Sequence, residues 1–442
     1  MFTHWLKYAD TLKLDCFRRS EIRSLICVEV QKLNKCTTPT SSARELKNFI
    51  QNDKSIIFVP IDKSKDLAVL DVEDYTFKLN SIFSLDKFEK LSLNPLQSDF
   101  LLFRKVIYKL KPYLSISDYH LIEPSESIKK GYGILKVKKP GMPVRPIISS
   151  IFSITSGAEK FILKIVSPLL KKCTFSLKST KQFTEKFVVV APKFTSFYEV
   201  CTFDAKSLFT SINVPRVVDH IIEQIYNDPS LYFEENNLGT VIPQDIFQNF
   251  ILDVLLKFNS FEAHHGYFRQ RFGLSMGGKL SCALSNIFLN IMETEIISKF
   301  QQEKIILFYG RYVDDILLIV RKRTKNNILA KMNEFDNFLT FTVDEMSENS
   351  LKFLDTKVVI SDNKLELKQY FKHENVVLNY KHAVAPTQYK NSCLIGEIYR
   401  AKNSTSNDDN LEAALINLKN TFIKNSYPEK LIDSKINEIK NR

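Results

Sequence analysis

Two adjacent aspartates, Asp314 and Asp315, lie between two strongly apolar segments of this 442-residue chain. Residues 305–309 and 316–320 are almost entirely β-branched, aromatic or leucine, and Tyr312 directly precedes Val313 and the acidic pair. Two such runs around a short polar interruption predict a β-hairpin with the acids at its turn. Unpaired carboxylates are costly to bury, so acids inside so apolar a hairpin need a partner.

A third acid, Asp204, ends another predicted strand, residues 197–204. Three carboxylates in one cleft repel one another unless divalent cations neutralise them, and hard oxygen ligands select Mg²⁺ or Mn²⁺. Two such ions, about 3.5–4 Å apart, activate an attacking hydroxyl and stabilise a leaving phosphate. We therefore predict Asp204, Asp314 and Asp315 as metal ligands and catalytic residues of nucleotide addition. A solvated turn is the alternative for an isolated Asp-Asp pair.

The charge balance is basic, with a formal net charge of +12 and a pI near 9.1. Such an excess indicates a polyanionic partner, although a generally lysine-rich composition would give the same value. Residues 129–145 carry six basic side chains and no acid. Because these alternate with apolar residues, one face of the predicted strands can pack while the other offers cations to phosphate.

The seven cysteines are scattered without a Cys-x-x-Cys pair, which fits reduced thiols and predicts no zinc site. The N-terminus lacks the apolar core of a signal peptide, and no apolar run approaches the roughly 20 residues of a membrane span. We expect a soluble intracellular protein with no membrane partner, in the nucleus or the cytoplasm.

Helical patterns indicate further elements. Residues 99–114 and 280–300 read as helices, and the tail from about 408 has apolar residues spaced for one buried face. A helix from residue 157 is expected to end near Pro168.

Several motifs occur in a fixed order and together resemble those of reverse transcriptases, specifically of Penelope-like retroelements. The resemblance covers residues 56–440. Its motifs are Pro60-Ile61-Asp62-Lys63, Tyr132–Lys136 with Arg145-Pro146-Ile147, Phe203–Ile212, the glycine loop and helix at 273–292, Tyr312–Asp315, Phe341-Thr342 and Leu351–Asp355.

This resemblance implies an α+β, right-hand polymerase fold, whose palm is an antiparallel sheet with packed helices. The implied domains are an N-terminal extension at 1–55, fingers at 56–200, a palm at 201–375 and a helical thumb at 376–442.

The resemblance also assigns residues to the nucleotide. Phe209 matches the aromatic that lies under the incoming sugar, where a flat ring leaves no room for a 2′-hydroxyl. Lys63, Lys65 and Arg145 would clamp the triphosphate, the arginine through its bidentate fork. Gln270 and Gly273 would seat template and nucleotide, since glycine permits a close backbone approach.

Four further residues are expected to contact primer or template, namely Tyr312, Lys279, Phe353 and Leu354. The chain departs from the family at residues 278–282, which lack the two prolines of the usual Ser-Pro-Leu-Ser-Pro run. It also shows no GIY-YIG endonuclease pattern, which implies a member without that domain or a truncated copy.

The resemblance implies an RNA-directed DNA polymerase that uses two Mg²⁺ ions, with Mn²⁺ as a substitute. Its partners would be an RNA template, a DNA primer or RNA/DNA hybrid, and dNTPs. Two alternatives stay open: an RNA-directed RNA polymerase, and a decayed or co-opted protein that binds nucleic acid without catalysis.

Overall fold

The computed structural model of the chain describes residues 52–64, 67–84, 86–233, 240–263, 266–344, 349–361, 364–370, 377–381, 383 and 385–440. Lys65 and residues 1–51 of the expected N-terminal extension lie outside these ranges.

The strands and helices are mixed along the chain, and the predicted α+β class with an antiparallel central sheet is confirmed. The strands are β1 (Ile56–Pro60), β2 (Leu67–Asp71), β3 (Phe88–Leu91), β4 (Lys129–Leu135), β5 (Val144–Ser149), β6 (Tyr198–Ala205), β7 (Ser260–Ala263), β8 (Gly266–Gln270), β9 (Ile306–Tyr312), β10 (Asp315–Arg321), β11 (Phe341–Asp344), β12 (Ser350–Phe353), β13 (Thr356–Ser361) and β14 (Lys364–Gln369).

The α-helices are α1 (Val72–Phe83), α2 (Leu96–Leu110), α3 (Ile116–Ile122), α4 (Ser156–Lys172), α5 (Thr180–Val190), α6 (Leu208–Ser211), α7 (Val214–Asn227), α8 (Pro229–Phe233), α9 (Gln244–Leu252), α10 (Ser281–Met292), α11 (Ser298–Gln302), α12 (Lys325–Glu334), α13 (Thr387–Asn403), α14 (Asp408–Lys424) and α15 (Glu429–Lys440). No helix within the described ranges is both long enough and apolar enough to cross a bilayer.

The chain folds into two compact units, and each is made of separate stretches of sequence. The larger unit contains Ser55–Lys178 and Phe197–Glu345. The smaller unit contains Ser179–Ser196 and Met346–Arg442.

The central sheet of the larger unit has the strand order β11-β6-β10-β9, and all its pairings are antiparallel. Ile316, Leu317, Leu318, Ile319 and Val320 in β10 are all fully buried. A strand buried on both faces is apolar at every position, which explains the unbroken run seen in the sequence. The predicted hairpin of β9 and β10 is confirmed.

A second sheet in the same unit has the order β3-β8-β7-β4-β5. Its buried face packs on aromatic rings of its own strands and of α1; the ring centroids of Phe83 lie 5.0 Å from Phe261 and 5.3 Å from Phe268. The predicted hairpin of β1 and β2 is confirmed, and Ile61 beyond it bridges to Leu135 of β4. This contact ties the early lysine-bearing turn to the basic strands.

Helix α4 does not end near Pro168, so that prediction was wrong. The proline removes one backbone N–H and crowds the preceding turn, at a cost of about 3 kcal/mol. The apolar face nevertheless runs through it, since Ile165, Val166 and Leu169 are all buried. Burying these side chains offsets the cost of the proline.

The smaller unit has a three-stranded sheet, β12-β13-β14, and a helical core of its own. Leu415, Leu418 and Phe422 of α14 are buried in that core, as the spacing predicts. Helix α5 belongs to this unit, and its Phe183 ring lies 4.9 Å from that of Phe353.

Candidate active site

A two-residue turn, Val313-Asp314, joins β9 to β10, and Tyr312 faces Asp315 across it. Val313 has a φ of +59°, which is an outlier for a β-branched residue. Backbone strain of this kind costs about 1–3 kcal/mol and persists only where the surroundings hold it. The turn is therefore supported from outside the hairpin.

The three predicted aspartates meet at one end of the central sheet. Asp315 is directly opposite Asp204 in the register of β10 and β6, so both side chains share a face. The backbone N–H of Ala205 donates to the carbonyl oxygen of Asp314 at 3.3 Å, which brings the turn against the end of β6. All three aspartates are exposed to solvent.

This donor set fits Mg²⁺ chemically, because exposed carboxylate oxygens are ligands that it prefers. Within the described ranges, no three His, Cys, Asp or Glu side chains lie close enough together to hold a metal ion by themselves. Mg²⁺ seldom requires such a set; it is usually held by one or two carboxylates, with water and substrate phosphates completing the shell.

Phe209 lies on α6, half-buried at the edge of the main core. The glycine loop packs directly against it, since the N–H of Leu274 donates to the carbonyl of Phe209 at 2.7 Å. Gly273 has a φ of +72°, and a Cβ there would lie 2.6 Å from the carbonyl carbon of Thr210. Only glycine permits this approach.

Lys87 also contacts this loop and was missed in the sequence. Its Nζ donates to the carbonyl of Thr210 at 2.8 Å and lies 5.9 Å from the ring centre of Phe272. Burial lowers the pKa of Lys87. A single lysine in an ordinary polar stretch carries no signal of such a long-range contact.

A group of cations lies around Arg145 of β5. Arg145 Nη2 pairs with Asp62 Oδ2 at 3.2 Å, while Lys63 is exposed with a φ of +61°. Burial, followed by repulsion from Arg145, lowers the pKa of Lys136, and Lys63 and Lys139 act in the same direction. Cations crowded in this way are suited to a polyphosphate.

Two of the expected contact residues point into the protein. Gln270 is buried; its Nε2 donates to the carbonyl of Phe272 at 2.8 Å, and its Oε1 accepts from Ser275 Oγ at 2.9 Å. Lys279 Nζ donates to the carbonyl and the hydroxyl of Ser156 at 3.2 and 2.5 Å. In this structure both side chains hold the glycine loop in shape.

The expected primer and template residues differ in exposure. Tyr312 is 38% exposed beside the aspartates. Phe353 is buried in the core of the smaller unit, and Leu354 lies in the β12–β13 turn with a φ of +54°. Only the exposed or half-exposed members of this set offer a side chain to a ligand.

A buried ion pair beneath the aspartates was also missed. Arg311 is fully buried and binds Glu293 with both ends of its guanidinium, at 2.6 and 3.1 Å. Its Nη1 donates to Asn286 Oδ1 at 2.8 Å and to the carbonyl of Val313 at 3.3 Å. Burial alone would lower the pKa of Arg311, but the Glu293 carboxylate outweighs this and raises it.

This pair supplies the outside support that the turn requires. The signal in the sequence was Arg311 within the apolar strand at 305–312, together with the acids of the apolar helix at 280–300, of which Glu293 is one. Buried charges are nearly always paired, so a buried Arg311 indicates an acidic partner, but no local pattern identifies which acid it is.

Comparisons with known families place these features in context. The family model described as "Reverse transcriptase (RNA-dependent DNA polymerase)" matches residues 137–368, more than half of the chain. A second one, "Animal helix-turn-helix domain", matches residues 377–437. No curated protein matches the chain.

Solved telomerases resemble the chain in structure. Telomerase from Candida albicans, in complex with a TWJ fragment of telomeric RNA, is 14% identical with a TM-score of 0.53, over 86% of this chain and 62% of that one. Telomerase from Candida tropicalis, in complex with the same kind of fragment, is 11% identical with a TM-score of 0.53, over 92% and 64%.

The apo telomerase of Candida tropicalis gives 12% identity and a TM-score of 0.52, over 88% of this chain and 67% of that one. The chain thus spans about two thirds of the length of these proteins. At such low identity the likeness shows the fold alone, and the predicted right-hand polymerase fold is confirmed.

Proposed function

This chain belongs to the reverse transcriptase (RNA-dependent DNA polymerase) family, and from this we infer that it copies RNA into DNA. The reaction is the template-directed addition of dNTPs to a primer 3′-hydroxyl, with release of pyrophosphate. The observation that carries the proposal is the pairing of Asp204 with Asp315 across β6 and β10, with Asp314 bonded to the same strand end.

Each group of side chains has a role in this reaction. Mg²⁺, when bound, supplies the charge that activates the attacking hydroxyl and stabilises the leaving phosphate. Asp204, Asp314 and Asp315 would hold the two ions, and Mn²⁺ can replace them. Arg145 and Lys63, with the neighbouring Lys136, attract the triphosphate of the incoming nucleotide.

The proposal extends to the sugar of the nucleotide. The backbone of Phe209 is held in place by the hydrogen bond that the N–H of Leu274 donates to its carbonyl, and Gly273 lets the glycine loop approach α6. A flat, supported ring under the sugar excludes a 2′-hydroxyl. Deoxynucleotides are therefore the substrates, and RNA, paired with a DNA primer or within an RNA/DNA hybrid, is the template.

The wider context is that of a retroelement. The ordered motifs between residues 56 and 440 resemble those of Penelope-like elements, and this resemblance supports assignment to that subfamily.

Hydrogen bonds offer a substitute for the two prolines that the loop at 278–282 lacks. Two bonds from Lys279 to Ser156 and one from Ser281 Oγ to the carbonyl of Ser275 at 2.6 Å stiffen the loop instead.

Primer extension tests the proposal. Purified protein is given poly(rA)/oligo(dT) with dTTP or UTP, in Mg²⁺ or Mn²⁺, beside an Asp314→Asn variant. We expect dTTP incorporation that falls about a thousandfold or more in the variant, because a ligand worth several kcal/mol of barrier is lost.

The outcomes separate the alternatives. Preference for UTP would indicate an RNA-directed RNA polymerase. Template binding without any incorporation by the wild type would indicate a decayed or co-opted binding protein. Equal incorporation by wild type and variant would assign the catalysis to other residues.

A further inference from the structure

In the turn between β5 and α4, apolar residues are exposed to solvent and polar residues are buried, which is the reverse of the usual arrangement. Ile151 and Phe152 are 56% and 71% exposed. Ser150, Ser153 and Thr155, on the same turn, are at most 1% exposed. Polar residues of a surface turn usually face water, so exposed apolar side chains above a buried polar base need an explanation.

Phe152 is also strained. Its φ of +57° lies in the left-handed region, where glycine and asparagine are favoured and a bulky residue is an outlier. A large apolar ring therefore occupies a position where a smaller residue would be more stable, and it gains no burial in return. Strain of this kind is typical of residues that contact a ligand.

The base of the turn is rigid. Glu159, which is 2% exposed, accepts hydrogen bonds from Ser150 Oγ at 2.8 Å and from Thr155 Oγ1 at 3.0 Å. Its carboxylate also pairs with Lys129 Nζ at 3.0 Å, and Ser153 Oγ donates to the carbonyl of Ser150 at 2.9 Å. Fully bonded buried networks of this kind hold one conformation.

The same carboxylate connects the turn to the glycine loop that contacts Phe209. The backbone N–H of Lys279 donates to Glu159 Oε2 at 2.9 Å, and the N–H of Ile148 donates to the carbonyl of Met276 at 2.7 Å. Burial, followed by repulsion from the exposed Lys160, lowers the pKa of Lys279, so a second cation lies near the loop. The turn that carries the exposed ring is thus hydrogen-bonded to the loop that supports Phe209, and the helix that follows the turn carries the exposed Lys160.

We propose that Ile151 and Phe152 form a stacking platform for an unpaired base of the template strand. This rests on the proposed function, because it presumes a template. Single-stranded nucleic acid is bound by aromatic side chains that stack on bases and by cations that contact the backbone, and the turn offers this combination. Lys160, exposed on the helix that follows the turn, supplies the cation.

The first test separates strain from contact. Phe152→Asn removes the ring and suits the left-handed backbone, so the melting temperature should hold or rise. Affinity for a template–primer with a 5′ template overhang should fall about tenfold, the usual effect of losing one stacked base. Phe152→Trp should keep the affinity, and Phe197→Asn, at an equally exposed phenylalanine, should leave it unchanged.

The second test locates the contact. Template strands carrying one 5-iodouridine, at successive overhang positions, are irradiated in complex with the full chain and the adducts mapped by mass spectrometry. We expect one unpaired position to crosslink to Phe152, in the wild type and in Asp314→Asn alike.

The two tests also separate this inference from the polymerase itself. A crosslink at Phe152 in a protein that incorporates no nucleotide would support the stacking platform and refute the proposed polymerase activity. Normal nucleotide incorporation, with unchanged template affinity in Phe152→Asn and no adduct at Phe152, would refute the stacking platform and leave the proposed polymerase activity standing. A chain that binds no template would overturn both.

Discussion

At the residue scale, the proposed nucleotide site depends on two close contacts between backbone segments. Phe209 is supported through its carbonyl by Leu274, and Gly273 lies against the backbone of Thr210. Because these contacts are made by backbone atoms, neither neighbour can move aside at little cost.

We expect Phe209→Val to admit ribonucleotides. The smaller side chain leaves room for a 2′-hydroxyl, so the ratio of kcat/KM for UTP to that for dTTP should rise about tenfold or more. Steady-state incorporation opposite poly(rA) measures it. An unchanged ratio in an active variant would show that another group excludes the hydroxyl.

Gly273→Ala should damage the site and lower stability. The new Cβ meets the backbone of Thr210 at 2.6–2.7 Å in a left-handed conformation, so we expect a loss of about 1–3 kcal/mol and a raised KM for dTTP. Gly396→Ala is the control, since nothing lies within 4 Å of its added methyl. In that helix alanine should add about 0.5–1 kcal/mol, measured by denaturant unfolding. Equal effects of the two substitutions would refute the steric argument.

At the scale of elements, the β9–β10 hairpin that carries Asp314 depends on the helical segment at 281–302. Glu293 begins a π-helical turn, Glu293–Ile297, and its carboxylate binds both Arg311 and the hydroxyl of Tyr309. Arg311 then reaches the carbonyl of Val313. The helix thereby sets the position of the turn that carries Asp314.

Removing only one partner of this pair should be costly. Arg311→Met leaves the Glu293 carboxylate buried without its cation, and we expect a loss of about 3–5 kcal/mol in the free energy of unfolding. Combining Glu293→Leu, Tyr309→Phe and Arg311→Met should restore most of that stability, because apolar groups replace both buried charges and the tyrosine hydroxyl. Among the described residues, only Asn286 Oδ1 and the carbonyl of Val313 then lose a donor.

The combined variant also tests positioning. The carbonyl of Val313 has lost its hydrogen bond from Arg311 in this variant. Nucleotide incorporation should therefore stay low although the protein is folded, and the Mg²⁺ concentration for half-maximal rate should rise. If the combined variant is stable and has wild-type kinetics, the ion pair stabilises the fold but does not position the turn for catalysis.

Much of the hairpin and of the candidate site could be predicted from local sequence. The apolar runs beside Asp314 predicted both strands, and the apolar helix at 280–300 was equally plain. The Arg311–Glu293 pair could not be placed from periodicity, because it forms between two elements whose packing no local pattern specifies. Helix α4 was cut short at Pro168 because local propensity was given more weight than a continuous buried face.

At the scale of the whole molecule, charge and domain organisation set the remaining behaviour. The formal net charge of +12 is spread over the chain. Its cations include the group around Arg145 and Lys160 on α4, both in the larger unit. Contacts from such cations to phosphate fix the register of the nucleic acid on the protein but do not distinguish one base sequence from another.

Template–primer binding should therefore be steeply salt-dependent. A site that neutralises about four phosphates loses about a hundredfold in affinity between 50 and 200 mM salt. Titrations by fluorescence anisotropy at several KCl concentrations give the slope, and Lys160→Ala should reduce it. A flat dependence would place the nucleic acid away from these cations.

The division of the chain between the two units also dictates an order of events during synthesis. Helix α5 leaves the ribosome early, yet Phe183 on its buried face meets Phe353, which is 170 positions later in the chain. At translation rates of about 5–20 residues per second, the wait is on the order of ten seconds or more. During that interval the nascent chain carries an amphipathic helix whose later partner Phe353 does not yet exist, so this helix is a site where a chaperone could bind.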